Sequence, residues 1–271
     1  MNRKNNDFVE RHYLEKDSDD LDSSFHSNSI YRHTYYETKL KALETLDLKG
    51  HEIIVDIGCG QGHLMRLLHE FHSNLEEIGI DINLSDLKKA KQRNNSDSSE
   101  FILSDASHLP FKNMCFDRVV CTAVLEHVSN EKEVLDEIWR ALKDKKTAVI
   151  DVPGAYHLQN KLSDLFIRKH GVFPFHREYT TGRMKTIVEE SNFEIECFTT
   201  ARFIGSILFP VIETISVADG RKIVWCRGLL ARLICWAGDR IGLLWGNNTC
   251  MKTLGGSWFF KIKKEGMDNA P

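Results

Sequence analysis

EIIVDIGCGQGHLMRLLHEF, residues 52–71, passes within twenty positions through three kinds of local structure. Ile53 to Ile57 is a short apolar run broken only by Asp56, which reads as a buried strand. Gly58, Gly60 and Gly62 then supply a turn whose backbone a ligand can approach closely, because no side chain stands in the way. Leu64, Met65, Leu67 and Leu68 follow at helical spacing. Strand, glycine turn and helix in this order are the opening unit of a nucleoside-binding α/β sheet.

The spacing and the charge narrow the ligand. A dinucleotide fingerprint, G-x-G-x-x-G, counted from Gly58 requires its third glycine at position 63, where His63 stands. Asp56 places a carboxylate two residues ahead of Gly58, which repels a pyrophosphate and attracts a cation such as an ammonium or a sulfonium. Asp81, about 20 residues beyond the glycines, ends the next strand and suits both hydroxyls of a ribose.

Outward from this stretch the chain alternates. Ahead of it, IYRHTYYETKLKALETL (30–46) carries Leu40, Leu43 and Leu46 at three-residue steps and reads as an amphipathic helix, one that ends near Gly50. Behind it come LEEIGID (75–81) as strand, LSDLKKAKQR (84–93) as helix, SEFILSD (99–105) and CFDRVVCTAV (115–124) as strands, EVLDEIWRALK (133–143) as helix and TAVIDVPG (147–154) as strand. TTGRMKTIVEES (180–191) and NFEIECFTT (192–200) repeat helix and strand, and WFFKIKK (258–264) alternates as a last strand. Seven strands with crossover helices predict one α/β domain over 29–265, with residues 1–28 as a polar, disordered tail.

The composition fits this picture. A chain of 271 residues with 42% hydrophobic residues buries one substantial core, and a net charge of -3 offers no global field for a polyanion, so nucleic acid is not an expected partner. Seven scattered cysteines without a C-x-x-C pair point to a reducing, cytoplasmic setting. The polar opening residues carry no apolar leader core, and no run reaches the roughly 18 apolar residues that span a bilayer. His63, His69 and His72 have no matching ligand cluster in the sequence, and no metal is expected.

VDIGCGQGHL (55–64), GIDIN (79–83), LSDASHLPF (103–111) and FDRVVCTAVLEHV (116–128), in that order, resemble the class I S-adenosylmethionine-dependent methyltransferases of the UbiE-like kind, over roughly residues 50 to 200. The resemblance implies a Rossmann-like, seven-stranded, mostly parallel sheet with helices on both faces and its last strand antiparallel, and S-adenosyl-L-methionine as cofactor. It implies that Asp56, Gly58, Cys59, Gly60 and Gly62 surround the methionine moiety, that Asp81 and Ile82 hold the ribose, and that Asp105 and Ala106 meet the adenine. Glu126 and His127, past the fourth strand, would then lie near the methyl group, with His127 as candidate base or merely as a residue that lines the pocket and leads into the next helix.

The acceptor side is expected in two segments. GVFPFHREYTT (171–181) resembles a lid, here taken as 154–180, in which His176, Arg177 and Tyr179 could touch the acceptor; its alternative is a turn capped by Thr180 or Thr181 with the aromatics packed below. An apolar helical insertion, 203–250, precedes the last strand. Within it Arg221, Lys222, Arg232 and Arg240 project to one side of a helix, which suits either peripheral contact of 203–245 with an anionic membrane, on its inner face, or a lid over the acceptor cavity. The acceptor is expected to be a small molecule or lipid-linked. A sensor that binds the cofactor without transferring methyl, and a nicotinamide-dependent oxidoreductase on the same sheet, are the competing readings.

Overall fold

The computed structural model describes residues 29–72, 74–94, 99–154, 177–201 and 257–266. Helix α1 is Ser29–Leu46, followed by β1 (Ile53–Ile57), α2 (His63–Phe71), β2 (Glu76–Asp81), α3 (Leu84–Arg93), β3 (Ser99–Leu103) and β4 (Phe116–Thr122). After a 3-10 turn at Leu125–His127 come α4 (Glu131–Ala141), β5 (Leu142–Pro153), α5 (Thr181–Glu190), β6 (Phe193–Ala201) and β7 (Ser257–Lys264).

The seven strands form one sheet in the order β3-β2-β1-β4-β5-β7-β6. Strands β3, β2, β1, β4 and β5 are parallel to their neighbours, and β7 runs antiparallel to β5, with Ile150 opposite Phe260. The order reverses at β1, whose next strand in sequence lies on one side and β4 on the other, and such a switch point opens the crevice where α/β sheets bind ligands. The fifth strand departs from expectation. It starts at Leu142 rather than Thr147, α4 ends at Ala141, and the irregularity is absorbed where the pairing shifts between Phe116 and Arg118, with Lys145 left-handed at φ 61.

Alternation along parallel strands sends side chains to two faces. Val55, Ile57, Val119, Cys121, Ala148 and Ile150 join Val134, Leu135 and Ile138 of α4 and Met184 and Val188 of α5 in one buried core. Full burial of such a side chain stabilises by roughly 1.5–3 kcal/mol. The register puts Ile54, Asp56, Val120, Thr122, Val149 and Asp151 together on the other face. Ala42, Leu43 and Leu46 of α1 are buried, as are Leu64, Met65, Leu67 and Leu68 of α2.

By its contacts the chain divides into two compact units. Residues 39–155, 172–200 and 257–271 form the unit that carries the sheet; 1–38, 156–171 and 201–256 form the other, of which 29–38 and 201 are described. The expected tail 1–28, nearly all of the expected lid and the insertion 203–250 lie outside the described residues.

Candidate active site at the carboxyl edge of the sheet

The glycine turn is built by contacts that only glycine permits at two of its three positions. Gly58 has φ 73, and a Cβ there would lie 2.2 Å from Val124 Cγ2; Gly62 has φ 74, and a Cβ would lie 2.5 Å from Asn94 Nδ2. Gly60 also has a positive φ of 52, yet a Cβ there meets nothing within 4 Å. Gly58 and Gly62 are therefore glycines because the protein packs against them, whereas Gly60 faces open space. The backbone N–H of Gly58 and that of Cys59 both donate to the Ile80 carbonyl, at 2.7 and 2.9 Å, tying the turn to β2. The Cys59 thiol is buried, and burial pushes its pKa up, so it serves as packing between the loop and β2. Cys59 in fact lies against Gly79: a Cβ on Gly79 would come within 2.9 Å of its Sγ.

Two carboxylates flank the turn in different states. Asp56 is wholly buried and neither of its oxygens accepts a hydrogen bond within the described structure. Burial raises its pKa to about 6, against the opposing charge of Lys39 and with a further push from Asp81. Asp81 is held by backbone: Oδ2 accepts from Gly60 N–H at 2.8 Å and Oδ1 from Asn83 N–H at 2.8 Å. Each carboxylate oxygen has two acceptor sites, so Asp81 keeps one on each oxygen for a pair of hydroxyls. Asn83 also caps α3, accepting from Ser85 N–H at 2.9 Å, which fixes the strand end relative to the helix.

Beside Asp81 the surface turns apolar. Leu103 pairs with Asp81 across β2 and β3 and is 54% exposed, and Ile82 is 72% exposed. Two large aliphatic side chains in water next to a hydrogen-bonded carboxylate leave an apolar surface open at this edge. Asp105 lies beyond β3, where the N–H and hydroxyl of Ser107 donate to Oδ1 at 2.8 and 2.7 Å and hold its carboxyl below the usual range. Ala106 packs partly buried against the core next to it.

Past β4, where the sequence places the acceptor candidates, Ala123 has φ 57 and turns the chain into the Leu125–His127 turn. Glu126 is buried, and its Oε1 lies 3.9 Å from Nε2 of His127, whose side chain is 43% exposed. The pair occupies its own turn and does not start α4, which begins at Glu131 after the Asn130 cap. Tyr179 takes the second of the two expected places, packed below the capped turn. It is fully buried in the core, and its hydroxyl bonds to Glu131 Oε1 at 3.4 Å, so it packs the described structure here. Arg177 is drawn to the same carboxylate, at 2.8 Å, with Arg183 at 2.6 Å. Thr180 caps α5 by accepting from Arg183 N–H at 3.1 Å, so the capped turn is what this end of the segment forms. His176 lies outside the described residues.

His63, at the position a dinucleotide glycine would need, is buried with Nε2 3.1 Å from Arg93 Nη1. Among the described residues no three His, Cys, Asp or Glu side chains converge as metal ligands. Four polar residues near the crevice escaped the sequence reading: Lys39, Thr122, Glu131 and Asp151. Lys39 alone left a trace, since it sits on the 39-43-46 stripe of α1 that is otherwise apolar.

Residues 55–150 match the family model described as methyltransferase domain. That match and the strand order give the class the sheet is similar to: residues 55–150 carry a methyltransferase domain, in the Rossmann-like fold shared with class I S-adenosylmethionine-dependent methyltransferases. Among similar proteins, the demethylmenaquinone methyltransferase of Thermotoga maritima is 34% identical over 99 residues, 36% of this chain and 42% of its own length. The sterol 4-C-methyltransferase strm-1 of Caenorhabditis elegans is 29% identical over 147 residues, 50% of this chain and 44% of its own. The chain spans about half the length of the curated relatives it matches. Among solved structures, phosphoethanolamine N-methyltransferase 2 of Haemonchus contortus in complex with S-adenosyl-L-methionine superposes with a TM-score of 0.60 at 16% identity, covering 93% of this chain and 60% of that one.

Proposed function

We propose that this protein transfers a methyl group from S-adenosyl-L-methionine to a small-molecule or lipid-linked acceptor. One observation carries the reading: Asp56, fully buried with both oxygens unbonded, lies on β1 four residues before the one glycine of the turn that faces open space. A buried carboxylate without a hydrogen bond is costly, and a cationic ligand arriving at Gly60 removes that cost. The cofactor's ammonium and sulfonium have the right sign, and the fit extends along the edge to the open acceptor sites of Asp81 and the exposed Ile82 and Leu103.

S-adenosyl-L-methionine supplies a methyl carbon already activated by its sulfonium, so the protein's part is chiefly alignment. Asp56 accepts the ammonium, the Gly60 N–H stays fixed to Asp81, and Asp81 accepts the ribose hydroxyls. Ile82 and Leu103 cover the nucleoside, with Asp105 and Ala106 at the adenine edge. His127 takes a proton from an acidic acceptor on its imidazole, and the buried Glu126 carboxylate 3.9 Å away stabilises the resulting charge. The relatives' names, a demethylmenaquinone and a sterol methyltransferase, support a small or lipid-like acceptor.

The test is to incubate the protein with methyl-labelled cofactor and a cell extract split into aqueous and lipid fractions. Label entering a low-molecular-weight or lipid product supports the proposal. Cofactor binding without label transfer to either fraction would make the protein a sensor or partner subunit.

A further inference from the structure

The glycine turn is packed at both ends and open in the middle. Val124 and Asn94 press on Gly58 and Gly62, whereas a Cβ at Gly60 would meet nothing within 4 Å. The middle of the turn is therefore held by hydrogen bonds and not by packing. Gly62 N–H donates to the Cys59 carbonyl at 3.0 Å, and Gly60 N–H donates to Asp81 Oδ2 at 2.8 Å. From Asp81 the bonding continues. Its Oδ1 accepts from Asn83 N–H at 2.8 Å, Asn83 Nδ2 donates to Asp86 Oδ2 at 2.9 Å, and Asp86 Oδ1 accepts from Gln61 Nε2 at 3.0 Å. Gln61 follows Gly60 in the chain, so these bonds close a ring that runs from the turn through the end of β2 and the first turn of α3 and back. The Gln61 amide has a direction within this ring. Its Oε1 accepts from Nη1 of Arg93, the last residue of α3, while its Nε2 faces the Asp86 carboxylate. A guanidinium only donates and an ionised carboxylate only accepts, so the two neighbours fix which way the amide points.

Asp86 has an ordinary role in its own helix. It stands in the first turn of α3, where a negative charge suits the helix end, and it supports the Asn83 cap. That role needs Asn83 alone. The bond to Gln61, across 25 residues, adds nothing to the cap and instead ties the helix start to the glycine turn. We infer that Gln61 and Asp86 are positioning residues that hold the Gly60 backbone and the Asp81 carboxylate in one fixed relation, so that the methionine end and the ribose end of the cofactor site are presented together. The inference rests on the cofactor reading above. Neither side chain has to touch the cofactor, since Gln61 acts through Gly60, and Asp86 through Asn83 and Asp81. A ligand that spans both ends then binds a site already set, and does not bear the cost of ordering the open middle of the turn.

The test exchanges donor and acceptor across the Gln61–Asp86 bond. Gln61→Glu sets two carboxylates face to face, and Asp86→Asn leaves a single oxygen to serve both Gln61 and Asn83. The double variant restores the ring with this bond reversed. The new amide at position 86 donates to the new carboxylate at position 61, which still accepts from Arg93, and the amide oxygen accepts from Asn83; net charge is unchanged. Calorimetry with S-adenosylhomocysteine is expected to show about tenfold weakening in each single variant, the scale of one hydrogen bond to a charged group, and recovery to within about threefold of wild type in the double variant. A double variant that binds no better than the single variants overturns the inference, because Gln61 then meets the cofactor itself or Asp86 serves only its helix. Single variants that bind as wild type does overturn it as well. The comparison of Asp86→Asn with the double variant stands even if Gln61→Glu fails to fold. A wild type that does not bind S-adenosylhomocysteine overturns the cofactor reading itself, a result separate from binding without rescue.

Discussion

Asp56 pits stability against binding in a single side chain. Its pKa rises from 3.8 to about 6 on folding, so the neutral form favours the folded state and that advantage is lost as pH climbs through 6. The corresponding cost of the buried charge at neutral pH is on the order of 3 kcal/mol. Asp56→Asn is therefore expected to raise thermal stability above about pH 7, to lose that gain below about pH 4 where the aspartate is protonated in both states, and to abolish tight cofactor binding. Melting curves across pH check the first part and calorimetry the second. Asp81→Ala should weaken the cofactor by at least 1.5–3 kcal/mol, the range for hydrogen bonds to a charged group, since it also frees the Gly60 N–H. His127→Ala should lower turnover with little change in cofactor affinity, because the residue stands past β4 and is proposed to act on the acceptor alone.

At the scale of elements, the network around Glu131 welds the start of α4 to the approach of α5. Burial alone would raise the Glu131 pKa, but its backbone hydrogen bond and the Arg183 and Arg177 guanidinium groups hold the carboxyl below the ordinary range. That stabilisation is present above the unfolded pKa and is lost as pH falls through the lowered folded one. Glu131→Ala is expected to destabilise by about 3 kcal/mol, because it leaves two cations facing each other and the Tyr179 hydroxyl without its acceptor. Denaturant unfolding measures this, and an unchanged midpoint would remove the network's structural role. The elements themselves were legible because period and punctuation agree: the Ile53–Ile57 run, the three glycines and the 64-65-67-68 stripe each permit one local structure. Pairwise contacts were less legible. Tyr179 could be read as lid or as core because nothing local reveals Glu131, 48 residues away, and Lys39 drew no reading because its partner Thr122 is 83 residues away.

For the whole molecule, the sheet places every proposed cofactor contact within the unit formed by 39–155, 172–200 and 257–271. The 203–245 segment lies outside the described residues, and among the described residues no helix is long and apolar enough to cross a membrane. The sequence of that segment still makes an expectation: its basic side should bring the protein down with anionic vesicles at low salt and release it at high salt. Replacing Arg221, Lys222, Arg232 and Arg240 by Gln should prevent this without touching cofactor affinity, and protein left in the supernatant at low salt would assign the segment to the acceptor instead.

The central claim, that the acidic edge around Gly60 receives the adenosyl amino acid of the cofactor and not a dinucleotide, is tested most directly by titrating the purified protein with S-adenosylhomocysteine and, separately, with NADH. The account predicts saturable heat with the first, none with the second, and weaker binding of the first to Asp81→Ala. Binding of NADH with silence toward S-adenosylhomocysteine would contradict it.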